Sequence, residues 1–388
     1  MFSARFHWDL RPNRLTQLLA GKRRRSARIL DLTESNPTHA GFTYPPQILR
    51  AFDTAEALRY QPAPAGALPA REAVAAYYNA RGSRVEAAHI LLTASTSEAY
   101  AYLFKLLTNP GDQVLVPRPS YPLFDYLANM ESVEVRQYPL VYDGGWAIDA
   151  EGLASAVTGR TRAVVLVDPN NPTGSYVKRA ELDAVVRLCR ERNLALLSDE
   201  VFSDYAFAPD AARAGTLAEV TGCLTFAMSG LSKIAGLPQM KLGWIAVNGP
   251  ADLRREALEK LEWIADTYLS VSTPVQCAAP ALLAAGEEVQ RQIRARCGAN
   301  LKLARQALAG SPANVLAVEG GWYIILQVPR VRSEEEWSLD LLEREDVLVQ
   351  PGFFYDFESE AYLVVSLLTA PAIFAEGIGR LRRQVADA

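Results

Sequence analysis

Short apolar runs recur between residues 89 and 247, and an amphipathic stretch or a loop separates each run from the next. They read HILLT, QVLVP, AVVLVD, LALLSD, CLTFAMS and LGWIAVN. Continuous runs of β-branched residues and leucine are typical of strands that are buried on both faces. In one intervening stretch, Leu182, Val185, Val186 and Cys189 stand at helical spacing, with charged residues elsewhere. Strands that alternate with helices predict an α/β fold with a mostly parallel sheet.

The second half of the chain has a different pattern of apolar and polar residues. Residues 251–310 read as long helices, and beyond them strand-like runs such as WYIILQVP and AYLVVSLL surround a further helix. We therefore expect a large α/β domain over residues 46–270, followed by an interdomain helix and a smaller α+β domain over residues 271–388. Residues 1–45 are expected to form an N-terminal arm that belongs to the smaller domain. A single hydrophobic core seldom grows beyond roughly 250–300 residues, so a chain of 388 residues suits this division.

The composition is ordinary for a soluble globular protein, with 49% hydrophobic and 22% charged residues. A formal net charge of -4 gives no general attraction to nucleic acid or to anionic membranes. The basic run from Lys22 to Arg25 is interpreted as a solvated helix end or loop, since short basic runs occur in many settings. No run of about 18 apolar residues occurs, so we expect no membrane-spanning helix.

The cysteines and histidines do not indicate a metal centre. The four cysteines lack metal-type spacing, and free thiols in a reducing cytosol are the simplest explanation for them. The three histidines are too isolated for a metal site or a catalytic triad. These residues are Cys189, Cys223, Cys277, Cys297, His7, His39 and His89. The N-terminal stretch lacks an apolar core and a small-residue cleavage site, so we expect no secretory signal and a cytoplasmic protein.

Polar residues follow several predicted strands, at the sheet edge where open α/β folds bind ligands. Residues 95–98 read STSE, which fits a helix-capping box whose exposed N–H groups would bind an anion. Asn171 lies in the turn sequence NPTG, Asp199 ends the run LALLSD, and Lys233 follows CLTFAMS. Each of these alone has an ordinary explanation as a cap, a turn or a surface residue. Their coincidence at one edge of one sheet favours a binding site.

A lysine, a carboxylate, an anion site and an asparagine together fit one cofactor, pyridoxal 5'-phosphate. This cofactor needs an amine for a Schiff base and a cradle for its phosphate. It also needs a carboxylate that keeps its ring nitrogen protonated, because the protonated ring takes up electrons from the substrate.

Longer motifs carry a resemblance to a known family. They are YQPAPAGALPAREAVAAYY, PRPSYP, DPNNPTG, SDEVF, SGLSKIAGLPQMKLGW and VLVQPG. In this order and spacing they resemble the motifs of the fold-type I pyridoxal-phosphate enzymes of the class I/II aminotransferase group, over nearly the whole chain. The resemblance implies a homodimeric transaminase with shared active sites, which exchanges an amino group between an amino acid or amine and a 2-oxo acid.

The resemblance also implies roles for single residues. Lys233 would hold the cofactor covalently and, once the substrate displaces it, move the proton of the reacting carbon. Asp199 would pair with the ring nitrogen, and Asn171 would hydrogen-bond the phenolic oxygen. Tyr121, from PSYP, would stack on the ring face.

Further residues are implied for the phosphate group. Ser95, Thr96 and Ser232 would bind it, with assistance from Lys241. Tyr60 would reach the phosphate of the neighbouring subunit's cofactor.

Three positions depart from the family pattern. Phe202 stands where a tyrosine usually donates to the phenolic oxygen. Lys241 replaces the phosphate-binding arginine, keeping the charge but losing the bidentate fork. Val364 stands where an arginine usually holds the substrate carboxylate, and no arginine or lysine occurs between Glu345 and Gly379. The carboxylate would then be held by Asn171, by the backbone near residues 35–36 or by an arginine from elsewhere, or the substrate has none there.

Two other functions remain open from the sequence. The same machinery supports elimination at Cβ, as in C–S lyases, or another carbanion reaction. A cofactor-binding regulatory domain is the third reading, although the roughly 30 residues before the fold are too few for a winged-helix module. The aromatic residues Phe353, Phe354, Tyr355 and Phe357 either line an apolar substrate pocket or form a core cluster.

Overall fold

The computed structural model describes residues 2–3, 5, 8 and 11–387 of the chain, so His7 lies outside the described residues. The helices are α1 (Arg14–Arg24), α2 (Gln47–Arg50), α3 (Leu68–Asn79), α4 (Thr96–Leu107), α5 (Leu123–Met130), α6 (Ala150–Ala156), α7 (Arg179–Arg192), α8 (Leu231–Ile234), α9 (Ala251–Tyr268), α10 (Thr273–Leu308), α11 (Glu334–Glu345) and α12 (Pro371–Ala386). The strands are β1 (Leu30–Asp31), β2 (Ile90–Thr93), β3 (Gln113–Arg118), β4 (Glu134–Tyr142), β5 (Trp146–Ile148), β6 (Thr161–Val167), β7 (Ala195–Asp199), β8 (Thr225–Gly230), β9 (Gly243–Asn248), β10 (Asn314–Val315), β11 (Tyr323–Gln327), β12 (Val347–Leu348), β13 (Gln350–Pro351) and β14 (Tyr362–Ser366).

The largest sheet in the described chain has the strand order β2-β9-β8-β7-β6-β3-β4-β5. Strands β8, β7, β6, β3 and β4 run parallel to their neighbours in this series, whereas β9 and β5 are antiparallel to theirs. Each apolar run that predicted a strand forms one, and the amphipathic stretch after residue 178 forms α7. Helices cover both faces, as buried parallel strands require. The predicted α/β fold with a mostly parallel sheet is therefore confirmed.

The sequence pattern did not reveal strands β4 and β5, which end the sheet on one side. Strand β5 pairs only with residues 140–142 of β4, so residues 134–139 of β4 form the edge there. Strand β4 contains Glu134, Arg136 and Gln137, carries Pro139, and has most of its residues exposed or half-buried. An edge strand faces solvent along much of its length, so it lacks the continuous apolar run that marks a central strand.

The C-terminal part contains a smaller antiparallel sheet with the order β10-β11-β14-β13. Strand β1, near the N-terminus, pairs in parallel with β12, with Leu30 opposite Val347. Helix α10 runs beside both parts of the molecule, since it packs on α3, α8 and α12. The division of the chain into three parts stays a prediction.

The basic run at the end of α1 is only partly solvated. Arg23, Arg24 and Arg25 are exposed, as expected for basic residues at a helix C-terminus. Lys22 is buried, and its Nζ donates to Asp346 Oδ1 at 2.5 Å and to Glu343 O at 2.8 Å. The interpretation of this run as a helix end is confirmed, but Lys22 attaches α1 to the end of α11.

Several expected absences concern the described residues only. No helix there is long and apolar enough to cross a membrane. No group of histidine, cysteine or acidic side chains in the same range could hold a metal ion. All four cysteines are free.

Buried Asn300 joins α10 to the end of β14. Its Nδ2 donates to Leu367 O at 2.9 Å and to Thr369 O at 2.8 Å. Asn300→Ala would leave two buried carbonyl groups without a donor, so we expect the free energy of unfolding to fall by about 2–4 kcal/mol. Urea denaturation measures this. Lys302→Ala, at an exposed position of the same helix, is the control. Equal stability of the two variants would contradict this role of Asn300.

Candidate active site

Lys233 lies directly after the central strand β8, in the short helix α8. Leu231 N donates to Leu242 O at 2.9 Å, which joins the start of α8 to the residue before β9. A side chain at Gly230 would place its Cβ 2.9 Å from Leu242 O and 3.0 Å from the Gly243 Cα. Only glycine therefore fits at position 230, where the backbone leaves β8 and places Lys233 at the edge of the sheet.

Aromatic side chains surround the Lys233 amine. Its Nζ lies 4.9 Å from the ring centroid of Trp322 and 5.7 Å from that of Phe202. The Tyr205 hydroxyl donates to Lys233 O at 2.5 Å. Burial by these neighbours lowers the pKa of Lys233 to about 8, although the negative charge of Asp199 opposes the shift. A lysine with this pKa has far more neutral amine at pH 7 than an ordinary one, and the neutral amine is the nucleophile.

Asp199 ends β7 and supplies the carboxylate of the site. Its Oδ1 accepts from Val201 N at 3.2 Å, and its Oδ2 accepts from the Tyr100 hydroxyl at 3.3 Å. Burial raises the pKa of Asp199 to about 6, while these hydrogen bonds and the charge of Lys233 act in the opposite direction. Between pH 6 and 8 the carboxylate and the ammonium group are therefore both charged.

Asn171 follows β6, the strand beside β7. The bond from Asp168 N to Asp199 O, at 2.9 Å, ties the ends of these two strands together. Asn171 is buried and its Oδ1 has no hydrogen-bond partner. A buried polar atom without a partner is costly, and amide oxygen and nitrogen positions are interchangeable assignments. The Asn171 amide is thus available to a polar group of a bound molecule.

The helix start predicted as an anion site lies across from the Lys233 segment. Ser95 caps α4 and its Oγ accepts from Glu98 N at 3.2 Å. The Glu98 carboxylate accepts from Ala94 N at 2.6 Å, one residue earlier than in a capping box. An added Cβ at Gly243 would lie 3.1 Å from both Ser95 C and Ser229 O. Gly243 of β9 therefore lies tightly between the start of α4 and the end of β8. The exposed N–H groups at the start of α4 suit a phosphate group.

The remaining predicted residues differ in position and in exposure to solvent. Ser232 precedes Lys233 in α8, and Lys241 is exposed, with a left-handed backbone at φ 52°. Tyr121 is 48% exposed, and Ser120 beside it donates its N–H to Tyr355 O at 3.0 Å. Tyr60 is 76% exposed, so it is positioned to contact another molecule.

Three aromatic residues of the site did not emerge from the sequence. Tyr100 contacts the Asp199 carboxylate from the second turn of α4, Tyr205 holds the backbone of Lys233, and Trp322 covers its amine. Tyr100 lies about one turn after the helix cap at Ser95, and this spacing could have indicated from the sequence that it belongs to the site. Trp322 comes from a segment far along the chain, and no local pattern marks such a contact.

Comparison with known proteins identifies the family. The family model described as aminotransferase class I and II matches residues 27–370. The chain belongs to this family. It is therefore a transaminase, as the resemblance implied, and enzymes of this family use pyridoxal phosphate.

Single relatives and solved structures agree with this result. An alanine aminotransferase of Mycobacterium tuberculosis is 30% identical over 372 residues, which cover 91% of this chain and 85% of the relative. The structure of an alanine aminotransferase from Pyrococcus furiosus superposes with a TM-score of 0.90 at 21% identity, and each chain is covered completely. An S-alkyl-thiohydroximate lyase of Arabidopsis thaliana is 33% identical over 223 residues, which cover 56% of this chain and 48% of the relative.

The pairing of Asp199 with Lys233 predicts a change in the acidity of the amine. Asp199→Asn removes the negative charge that favours the ammonium form, so the pKa of Lys233 should fall below 8. The measurement is the pH dependence of Lys233 modification by trinitrobenzenesulfonate, located by peptide mapping. Asp266→Asn, at an exposed position of α9, is the control. A midpoint that rises in Asp199→Asn would refute the interaction.

Proposed function

We propose that this protein is a pyridoxal-phosphate-dependent aminotransferase that exchanges an amino group between an amino acid or amine and a 2-oxo acid. The observation that carries the proposal is the placement of Asn171, Asp199 and Lys233 at the carboxyl ends of the neighbouring parallel strands β6, β7 and β8. Burial of the Lys233 amine, which lowers its pKa to about 8, supports the same role. The unpartnered Asn171 amide and the helix start at Ser95 add acceptors and donors for the polar groups of the cofactor.

The bound cofactor would supply an aldehyde carbon and an electron-withdrawing ring. Lys233 would hold it covalently, release it to the amino donor, and then carry a proton between carbon atoms with its freed Nζ. Asp199 would hold a proton on the ring nitrogen, with Tyr100 fixing the carboxylate. Asn171 would hydrogen-bond the phenolic oxygen, and Tyr121 would cover the ring face. Trp322 and the other aromatic neighbours keep water away from the amine.

The phosphate group has its own proposed set of residues. Ser95, Thr96 and Ser232 would bind it, and Lys241 would add positive charge. The starts of helices α4 and α8 supply backbone N–H groups that favour an anion.

A homodimer is part of the proposal, because large apolar side chains are exposed. Leu58 is 90%, Trp263 77% and Tyr268 50% exposed, and Tyr60 lies in a groove with Ser270. Exposed apolar patches of this kind mark interaction surfaces. A second copy would cover them and bring Tyr60 to the other subunit's phosphate site. The buried free cysteines suit the proposed cytoplasmic location.

Elimination at Cβ is the second candidate reaction. The partial match to an S-alkyl-thiohydroximate lyase supports it. The two reactions give different products. Transamination releases a 2-oxo acid and leaves the amino group on the enzyme, whereas elimination releases the Cβ substituent, ammonia and a 2-oxo acid.

The small sheet presents a face without the usual carboxylate-binding arginine. Val364 is fully buried in β14, opposite Ile325 and Gln350. Tyr323 shares this face, since it pairs with Ser366 two residues along the strand. Burial raises the pKa of Tyr323, so its hydroxyl stays protonated at neutral pH. We propose that this face accepts amine donors that carry no carboxylate.

The covalent role of Lys233 predicts a single labelling site. Borohydride reduction with pyridoxal phosphate should attach a pyridoxyl group to Lys233, because this amine has the low pKa. Lys233→Ala should lose both the label and turnover, whereas Lys241→Ala should keep the label. Peptide mapping by mass spectrometry locates the modified residue. A pyridoxyl group on another lysine of the wild-type protein would contradict the assignment of Lys233 as the lysine that binds the cofactor.

The face around Val364 predicts a weak preference for donors with a carboxylate. Alanine is the first donor to test, given the alanine aminotransferase relative, and ethylamine is the same donor without the carboxylate. A charged hydrogen bond contributes about 1.5–3 kcal/mol, so an arginine clamp with two of them would favour alanine by roughly two to four powers of ten. We expect kcat/KM to favour alanine by less than about 100-fold. A ratio above about 1,000 would contradict the proposed donor class.

A further inference from the structure

Glu319 lies where three loops meet beside the active site. Its Oε2 accepts from Lys178 Nζ at 2.5 Å and from Arg213 Nε at 3.2 Å. The Lys178 amine also contacts Tyr176 O at 3.1 Å, and Asp210 lies 3.8 Å away. Lys178 belongs to the loop after β6, and Arg213 belongs to the loop after β7. One carboxylate from the C-terminal part thus joins two loops of the large sheet.

Backbone hydrogen bonds also join the segment around Glu319 to the loops after β6 and β7. Gly174 O accepts from Glu319 N at 3.2 Å and from Gly320 N at 3.0 Å. Glu319 O accepts from Phe207 N at 2.9 Å, and Gly321 N donates to Tyr205 O at 3.1 Å. The segment 319–321 therefore has a fixed position between the loop that carries Asn171 and the loop that carries Tyr205.

The next residue in this segment is Trp322, whose ring faces the Lys233 amine. The Trp322 ring lies 5.2 Å, centroid to centroid, from both Phe202 and Tyr205. It is fully buried. Any movement of segment 319–321 changes how closely the ring covers Lys233 Nζ, 4.9 Å away.

Glu319 touches neither Lys233 nor the other proposed cofactor residues in the described structure, and the roles above do not require it. We propose that Glu319 is a positioning residue for the active site, and that its two ion pairs hold Trp322 against Lys233. This inference rests on the proposed role of Lys233 as the cofactor's lysine.

The expected consequence concerns the charge of the amine. Burial is the main cause of the low pKa of Lys233, and Asp199 is the charged group that acts on it in the other direction. If the Trp322 ring moves away, water reaches Nζ and the pKa rises above 8 toward that of an ordinary lysine. Each half-unit rise lowers the neutral amine about threefold at a pH well below the pKa.

The test uses the full chain with pyridoxal phosphate as the probe. The rate at which Lys233 captures the probe, trapped by borohydride and read by peptide mapping, is measured from pH 6 to 10. Glu319→Gln keeps the size of the side chain but removes its charge, so its pH midpoint should lie above that of the wild type. Its capture rate at pH 7 should fall at least threefold. Glu319→Asp keeps the charge and should restore part of the rate.

Glu256→Gln is the matched control, because it removes the exposed ion pair with Lys260, 2.5 Å long, on α9. The control should leave the pH midpoint unchanged. The inference is overturned if Glu319→Gln keeps the wild-type midpoint, even if its melting temperature falls, or if Glu256→Gln moves the midpoint equally. If Glu319→Gln does not fold, a wild-type pH midpoint and a wild-type capture rate in Lys178→Met, which breaks one of the two ion pairs, overturn it. A wild-type chain without label on Lys233 overturns the proposed function as well, which separates the two failures.

Discussion

The burial of the Lys233 amine beside two aromatic rings, within electrostatic reach of the Asp199 carboxylate, is the constraint on which the site depends. Burial acts against both charges, so it lowers the pKa of the amine to about 8 and raises the pKa of Asp199 to about 6. The charge of each group moves the pKa of the other partly back toward its ordinary value. A more solvated lysine would keep a high pKa and remain an unreactive cation near pH 7. With less solvation than observed, both the amine and the carboxyl group would be neutral. The site keeps the carboxylate ionised while it leaves a usable fraction of neutral amine.

Parallel strands make this contact possible between residues that are far apart in the chain. Strands β6, β7 and β8 are neighbours in the sheet, so their carboxyl ends bring Asn171, Asp199 and Lys233 to one edge. The glycine at position 230 then allows the backbone of β8 to turn beside β9. The chemistry of the site therefore follows from strand order and from one position where a Cβ does not fit.

The sequence predicted the central strands well, because continuous apolar runs are a direct consequence of burial on both faces. It also placed Lys233, Asp199 and Asn171 at strand ends, which the structure bears out, although their roles stay proposals. It missed β4, whose polar residues face solvent, and it treated Lys22 as solvated. The causes differ: β4 lacks a continuous apolar run because it is largely exposed, whereas the burial of Lys22 depends on Asp346, which is distant in the chain.

The residues proposed for the cofactor and those proposed for donor recognition lie on different sheets. Lys233 and Asp199 belong to the large sheet, whereas Val364 belongs to the small one. A change from a basic to an apolar residue in β14 can therefore alter which donor fits without disturbing the amine. The segment 319–322 is where these two groups meet, since Trp322 leads directly into β11 and also covers Lys233. Membership in the family thus indicates the reaction at the large sheet, while recognition of the donor by the small sheet is our proposal.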